Sequence, residues 1–181
     1  MDRVNERLAG KVKVEVFPNS QLYDDKKVME AMRLSKGKMG LIAAPSLSKF
    51  VEFSRQLQIF DLPFLFEDIN DVHKLVNSPL AQTMTAPLER KGLKVLGFWD
   101  NEMKVFSING KKPLHSTSVD FKGKKFRIQS SNVHAAMIKS LGGTPQKLPF
   151  KEVYTALGQD VVDGQENAWS NVYSKKFYEA Q

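Results

Sequence analysis

The chain has 181 residues, of which 41% are hydrophobic and 26% are charged, and its lack of cysteine excludes disulfides and thiolate metal sites. No apolar run is long enough to span a bilayer, and the polar start "MDRVNERLAG" lacks a signal-peptide pattern, which predicts a cytosolic protein or a form whose targeting segment is gone. The formal charge of +7 suggests an anionic partner. However, the lysines stand in short separated groups without a nucleic-acid motif, so we interpret most of them as solvated and expect any anionic ligand to be small.

Runs of β-favouring residues between turn signals predict the strands. The run "KVKVEVF" alternates valines with charged residues, which is typical of a strand with one buried face. The predicted strands cover residues 11–17, 39–45, 93–99, 104–109, 124–129, 145–150 and 160–164. Residues 58–66 are apolar but contain Pro63, so we expect an irregular buried segment there rather than a central strand.

Caps and following glycines predict helices between the strands. The predicted helices begin at Asp24 or Asp25, on either side of Ser78-Pro79, at Ser130 or Ser131, near residue 151 and near Asn167. Strands that alternate with helices indicate an α/β architecture with largely parallel sheets. The polar, turn-rich segment 112–123 predicts a boundary between two α/β lobes, residues 1–110 and 111–181.

The stretch "VVDGQENAW" (residues 161–169) concentrates polar side chains between apolar ones, and three interpretations compete. The stretch could be read as a turn followed by a helix start, as a catalytic carboxylate pair, or as the polar wall of a pocket. Glycosidase carboxylates usually come from separate elements, whereas Asp163 and Glu166 are three residues apart, a spacing typical of a capping arrangement. The histidines show no metal-ligand spacing, and no phosphate loop or nucleophile motif is present, so binding is the remaining class of function.

Arg127 is the first candidate for a binding residue. It lies where "KGKKFRIQSS" leaves a predicted strand and enters a helix, and α/β sheets collect ligands at the carboxyl ends of their strands. The planar guanidinium matches a carboxylate with two parallel hydrogen bonds. The alternative is a surface arginine paired with an acidic residue.

Six segments then carry a resemblance to a known family. "VFPNSQLYDD", "IFDLPFLFED", "VLGFWDNEMKVFS", "DFKGKKFRIQSS", "LPFKEVYTALGQDVVDGQEN" and "KKFYEAQ" follow one another in the chain. Together they resemble the dicarboxylate-binding type of substrate-binding subunit of tripartite ATP-independent periplasmic (TRAP) transporters. The resemblance implies a two-lobed, periplasmic binding-protein-like fold joined by crossing strands, a periplasmic location, no enzymatic activity and no cofactor. It also implies delivery of an organic acid to the membrane permease subunits of a transporter.

The resemblance implies roles for particular residues. The arginine that grips the ligand carboxylate falls on Arg127, and the asparagine of "VDGQEN" that hydrogen-bonds the same ligand falls on Asn167. A second basic residue corresponds to Lys104, and an aromatic residue that lies against the ligand corresponds to Phe150. Many members have glycine at the position of Glu102, and this acid is expected to pair with Lys104 and weaken its hold on an anion.

Three further residues complete the predicted ligand-binding set. Ser130 lies at the strand-to-helix junction, and Glu166 is expected to orient its neighbours and cap backbone groups. Trp169 is expected either to close the pocket floor or to pack in the core. "VVDG" is predicted to be a strand and turn, and "QEN" a polar wall at the start of the last helix.

The resemblance also implies that the chain lacks an N-terminal strand and the C-terminal elements that family members carry. The expected ligand is a four-carbon dicarboxylate such as succinate, malate or fumarate. The alternatives are another organic acid (a sialic, keto or aromatic acid) or, from a different class, an enzyme that acts on an organic acid.

Overall fold

Helices and irregular segments build the first half of the chain. The computed structural model describes residues 2–18, 20–35, 41–110, 112–115 and 117–181. Its first four helices are α1 (Asp2–Arg7), α2 (Asp25–Ser35), α3 (Ile69–Val76) and α4 (Pro79–Glu89), with 3-10 helices at Leu47–Lys49 and Arg55–Asp61. No strand occurs before Lys104 in these described residues.

Two of the predicted helix starts are confirmed here. The carboxylate of Asp24 accepts from the backbone N–H of Lys27 at 2.9 Å, so Asp24 caps α2. Helices α3 and α4 meet at Ser78-Pro79 as expected, and Gly92 follows with a φ of +80°, which favours glycine. The buried side of this region contains Leu57, with apolar residues of α4 around it.

Three of the strands predicted in the first half of the chain are wrong. In residues 12–17 both backbone groups of Val14 bond to the side-chain amide of Asn5 (3.0 and 2.6 Å) instead of to a neighbouring strand. Residues 41–45 form no ladder either, while 39 and 40 lie outside the described residues. In 93–99 the apolar side chains of Leu93, Val95 and Phe98 pack against the α4 region, so packing rather than pairing holds the segment.

The segment 58–66 is irregular, as predicted, but its residues are at most partly buried. The 3-10 helix Arg55–Asp61 occupies its first residues. Beyond it the chain turns at Pro63 and Phe64, where φ is +58°, and Phe64 is fully exposed. The expectation of a buried segment is therefore wrong.

A four-stranded sheet organises the second half. Its strands are β1 (Lys104–Ile108), β2 (Lys125–Ile128), β3 (Thr144–Lys147) and β4 (Gly164–Ala168), in the spatial order β1-β4-β2-β3. The other helices are α5 (Thr117–Asp120), α6 (Asn132–Ser140), α7 (Val153–Gly158) and α8 (Trp169–Ser174), with 3-10 helices at Phe150–Glu152 and Phe177–Glu179. Strand β2 is parallel to both neighbours and β1 is antiparallel to β4, which confirms an α/β fold with a largely parallel sheet. The division into lobes at residue 110 stays a prediction.

Strand alternation separates two faces of the sheet. Glu166 shares its face with Phe106, its register partner, and with the stacked aromatic rings of Phe121 and Phe126 beneath α6. We call this the Glu166 face. The opposite side, the Arg127 face, carries Arg127 and its register partner Gln165.

Gly164 lets the strands approach closely at the start of β4. A Cβ atom there would lie 2.5 Å from the carbonyl oxygen of Ser107 and 2.7 Å from the ring of Phe126. Any larger residue would push β4 away from β1 or β2. This glycine therefore keeps the polar residues that follow it in register with both neighbouring strands.

Candidate functional site

Arg127 lies at the centre of the Arg127 face with only 1% of its surface exposed. Its Nε and Nη2 atoms donate to the carbonyl oxygen of Leu148 at 3.0 and 2.9 Å, and its buried Nη1 has no hydrogen-bond partner. Burial lowers the pKa of the guanidinium, while the carboxylates of Glu166 and Asp25 act in the opposite direction. A buried cation whose Nη1 keeps two N–H donors without partners is costly unless an acceptor is supplied.

Strand β4 supplies the amides next to this arginine. All five of its residues are buried. Asn167 donates from Nδ2 to Oε1 of Gln165 at 3.2 Å, and its Oδ1 accepts from Nδ2 of Asn171 at 2.8 Å. Because an amide nitrogen carries two hydrogens, Asn167 keeps one further N–H for another acceptor.

The predictions that 160–164 forms a strand with a turn and that "QEN" begins the last helix are both wrong, because residues 160–163 are a turn and an irregular segment and the strand begins at Gly164. The "QEN" residues form the interior of β4, and α8 begins at Trp169. The strand tolerates polar side chains because its backbone pairs with β1 on one side and β2 on the other. Asp163, just before the strand, accepts from the backbone N–H of Lys125 at 2.8 Å and thus orients its neighbours, as expected.

The Glu166 face carries a cluster of charges. Glu166 is 3% exposed and its Oε2 lies 2.8 Å from Nζ of Lys104, while its Oε1 lies 3.7 Å from Nδ1 of His134. Nε2 of His134 lies 3.5 Å from Oδ1 of Asp61 in the 3-10 helix Arg55–Asp61. Burial lowers the pKa of His134, Lys104 and Arg127 lower it further, and the two carboxylates oppose this shift.

This cluster corrects two expectations. The acid that pairs with Lys104 is Glu166, whereas Glu102 accepts from the backbone N–H of Ser170 at 3.4 Å. Glu166 does not cap a backbone group, because its carboxylate is engaged with the lysine and faces the histidine. Strand alternation places Lys104 and Glu166 on the face opposite Arg127 and Asn167.

Phe150, Ser130 and Trp169 occupy three different environments. Phe150 is partly buried, two residues after Leu148, and its ring meets that of Phe177 edge to face at 5.7 Å between centroids. Ser130 is exposed and accepts from Nζ of Lys49 at 2.9 Å, while Ser131 is the residue that caps α6. Trp169 is 60% exposed, so the alternative in which it packs in the core is wrong.

The first half of the chain approaches the carboxyl ends of β2 and β3. Ser46 and Ser48 both donate to Oε1 of Gln129, which directly follows β2. After β3, Nζ of Lys151 lies 3.0 Å from Oδ2 of Asp24 at the start of α2. An open depression of about 220 Å³ lies between these segments, lined on one side by residues of the α2 region and on the other by Pro149, Lys151 and Glu152; none of the predicted ligand-binding residues lines it.

Two other kinds of site find no support in the described part of the chain. No group of three or more histidine or acidic side chains there is arranged to hold a metal ion. None of the helices in the described ranges has both the length and the apolar character needed to cross a membrane.

Comparison with known proteins agrees with the resemblance seen in the sequence. Residues 1–181 match the model of the DctP family, described as bacterial extracellular solute-binding protein, family 7. The chain is 49% identical over 179 residues to the C4-dicarboxylate-binding periplasmic protein DctP of Vibrio cholerae. The match covers 99% of this chain and 52% of that protein, so the chain spans about half the length of such curated relatives.

Solved structures give the same result. A TRAP periplasmic solute-binding protein from Sulfurospirillum deleyianum with bound succinate aligns with a TM-score of 0.89 and 47% identity over 99% of this chain and 56% of that one. A second such protein, from Pseudomonas aeruginosa PAO1 with bound L-malate, aligns with a TM-score of 0.85 and 39% identity over 99% of this chain and 61% of that one. The expected binding-protein architecture is therefore confirmed for the portion that the chain covers.

Proposed function

Because this chain belongs to family 7 of the bacterial extracellular solute-binding proteins, we propose that it captures a four-carbon dicarboxylate for a TRAP transporter. The protein then works outside the cytoplasm and delivers its ligand to the permease subunits in the membrane. Succinate, malate and fumarate are the proposed ligands. The protein holds the acid unchanged and catalyses no reaction on it.

The surroundings of Arg127 are the main structural support for this proposal. Its guanidinium is buried, two of its N–H groups are fixed on Leu148, and Nη1 is left without an acceptor. A ligand carboxylate would supply that acceptor together with the missing negative charge, and a charge-assisted hydrogen bond is stronger than a neutral one. Asn167, with its second amide hydrogen, would donate to the same group.

The relatives support the chemical class of the ligand. The Sulfurospirillum structure, at 47% identity, holds succinate, and the Pseudomonas structure, at 39%, holds L-malate. Both ligands are four-carbon diacids, so a second cation is needed for the other carboxylate. Lys104 stays our prediction for that cation; because its side chain lies on the Glu166 face, 2.8 Å from Glu166, it would have to leave that carboxylate and turn towards the ligand.

Calorimetric titration of the purified protein tests the proposal. Succinate, malate and fumarate are compared with a sialic acid, a keto acid, an aromatic acid, a neutral sugar and a neutral amino acid. We expect the diacids to bind most tightly and the bound acid to be recovered unchanged. Binding of neutral ligands alone would overturn the proposal, and turnover of the acid would indicate an enzyme instead.

Delivery to a permease needs a separate experiment. Vesicles that contain TRAP permease subunits should accumulate labelled succinate only when the binding protein is present. If the protein binds succinate but no labelled succinate accumulates with its own permease, the binding function stands and the proposed delivery to a permease is overturned.

A further inference from the structure

Gln165 is a buried side chain that the function described above leaves without a role. It is fully buried, and its Nε2 atom has no hydrogen-bond partner. An unpaired buried amide costs about 1–3 kcal/mol, so a glutamine that only filled the core would be worse than an apolar residue of the same size. The amide therefore needs an acceptor that is not part of the described chain.

The position of Gln165 places that amide beside Arg127. The two residues are register partners on the parallel strands β4 and β2, and strand alternation puts both side chains on the Arg127 face. Neighbouring strands lie about 4.8 Å apart, so the two side chains stand side by side. Two buried donors without acceptors, Nη1 of Arg127 and Nε2 of Gln165, thus occur next to each other.

The other end of the Gln165 amide is already engaged. Its Oε1 accepts from Nδ2 of Asn167 at 3.2 Å. This bond fixes the orientation of both amides, with oxygen towards Asn167 and nitrogen away from it. Gln165 consequently presents a donor, and not an acceptor, to whatever fills the space beside Arg127.

We propose that Gln165 is a ligand-contacting residue that donates from Nε2 to the carboxylate held by Arg127, while its Oε1 holds the amide of Asn167. The inference rests on the proposed function, since it concerns the same anion site. It assigns to one carboxylate three buried donors from two adjacent strands: the guanidinium, the glutamine amide and the asparagine amide. Such a set selects an ionised carboxylate over a hydroxyl or an amide of the same size.

A substitution at Gln165 with a matched control tests the assignment. Gln165→Met keeps the length of the side chain and removes the donor. Gln82→Met makes the same change at an exposed glutamine in α4, away from the sheet. We expect the dissociation constant for succinate to rise at least about tenfold for Gln165→Met and to stay within about twofold for Gln82→Met.

A double variant separates direct contact from action through Asn167. If Gln165 only orients Asn167, Gln165→Met should have no further effect on affinity in an Asn167→Ala protein. Direct donation predicts that most of the loss persists in that background. Disappearance of the loss would overturn the contact.

Protein stability supplies a further readout. Gln165→Met removes an unpaired buried N–H group but also the oxygen that accepts from Asn167, so the two effects on the thermal midpoint of the ligand-free protein oppose each other and it should change little while the affinity falls. If this variant does not fold, Gln165→Glu keeps the size and the oxygen acceptor, and it should weaken succinate binding at least as much because it places an anion beside the ligand.

The measured affinities separate a failure of this inference from a failure of the proposed function. Unchanged affinity in Gln165→Met or Gln165→Glu, in a protein that binds succinate, overturns this inference and leaves the proposed function intact. Such a result would mean that a water molecule satisfies the amide. A parent protein that binds no organic acid overturns the proposed function, and this inference with it.

Discussion

Two side chains of opposite charge are buried on opposite faces of the same sheet. Glu166 is 3% exposed and has Lys104 at 2.8 Å and His134 at 3.7 Å. Arg127 is 1% exposed and, within the described ranges of the chain, has no carboxylate within ion-pair distance. Both faces carry buried polar atoms without hydrogen-bond partners, but the Glu166 carboxylate has a cation of the described chain beside it, whereas the Arg127 guanidinium has no anion of that part of the chain beside it. Within the described chain, the first buried charge is thus balanced by a neighbour, and the second needs an anion from outside.

Substitution of Arg127 should cause the largest change in succinate affinity. Arg127→Lys retains the charge but loses the planar fork, and we expect it to weaken succinate binding by more than about tenfold, or 1.4 kcal/mol. Arg127→Ala should cost more, on the order of a hundredfold, because the ligand carboxylate would then be buried without its counter-ion. Titration calorimetry measures both.

Arg90→Lys provides the control, because Arg90 is an exposed arginine at the end of α4. Its affinity for succinate should equal that of the parent protein. An unchanged dissociation constant in Arg127→Lys would show that the arginine does not clamp the carboxylate.

Breaking the ion pair on the Glu166 face should lower stability. Lys104→Met leaves Glu166 buried without its cation, and we expect a loss of about 1–3 kcal/mol in the free energy of unfolding, reduced from the fully buried case because Lys104 is 31% exposed. The double variant Lys104→Met/Glu166→Gln should recover most of that loss. Urea denaturation of the single and double variants measures the coupling.

An exposed pair offers a matched comparison. Lys94 and Glu89 lie 2.7 Å apart with side chains 74% and 48% exposed. Lys94→Met should cost less than about 1 kcal/mol, since solvent screens such pairs. Equal losses of unfolding free energy for Lys104→Met and Lys94→Met would mean that the burial of Glu166 does not make its ion pair more important for stability.

The sequence correctly predicted that Arg127 lies at the end of a strand, but it did not predict that "QEN" belongs to the neighbouring strand β4. The reason is physical. The run around Arg127 alternates and leads to a serine cap, so its local pattern already indicates a strand that enters a helix. "QEN" has the composition of a turn or helix start, and only its pairing with β1 and β2 makes it a strand. Had it been recognised as one, the two-residue spacing of Gln165 and Asn167 would have placed both on one face.

Non-local pairing also explains the other errors. "KVKVEVF" has the alternation of a strand, yet the described residues pair its backbone with the side chain of Asn5. Alternation reports which residues would share a face, but it does not supply the neighbouring strand. The charge cluster around His134 was missed because its members are separated widely in sequence: Asp61, Lys104, His134 and Glu166.

Protonation of His134, on the Glu166 face, should make the stability of the protein depend on pH. The pKa of His134 is lowered in the folded protein, mainly by burial, with Asp61 and Glu166 opposing the shift and Lys104 and Arg127 reinforcing it. A folded pKa below the unfolded value of about 6.5 means that the unfolded chain takes up the proton first as the pH falls. The contribution of His134 should therefore be complete above about pH 6.5 and decline below it, by at most about 1.4 kcal/mol per pH unit.

His134→Gln tests this slope by urea denaturation between pH 7.5 and 5, in roughly half-unit steps. The variant should lose less stability over that range than the parent protein. His73→Gln is the control, because His73 pairs with Asp100 at an exposed position. If His134→Gln and the parent show parallel curves, protonation of His134 does not distinguish the folded from the unfolded state.

Asp163 should show the smallest effect, although it lies only two residues from Gln165. Its carboxylate accepts from the backbone N–H of Lys125 at 2.8 Å and lies 3.4 Å from Nζ of Lys124, in a partly exposed position. Asp163→Asn keeps an oxygen for the backbone bond and loses only the attraction to an exposed lysine, so stability should fall by less than about 1 kcal/mol. Succinate affinity should stay within about twofold, because the side chain shapes the entry to β4 and contacts no part of the Arg127 site. A tenfold change in the dissociation constant would place Asp163 in the anion site, and the polar stretch could then no longer be divided into residues that orient the strand and residues that hold the ligand.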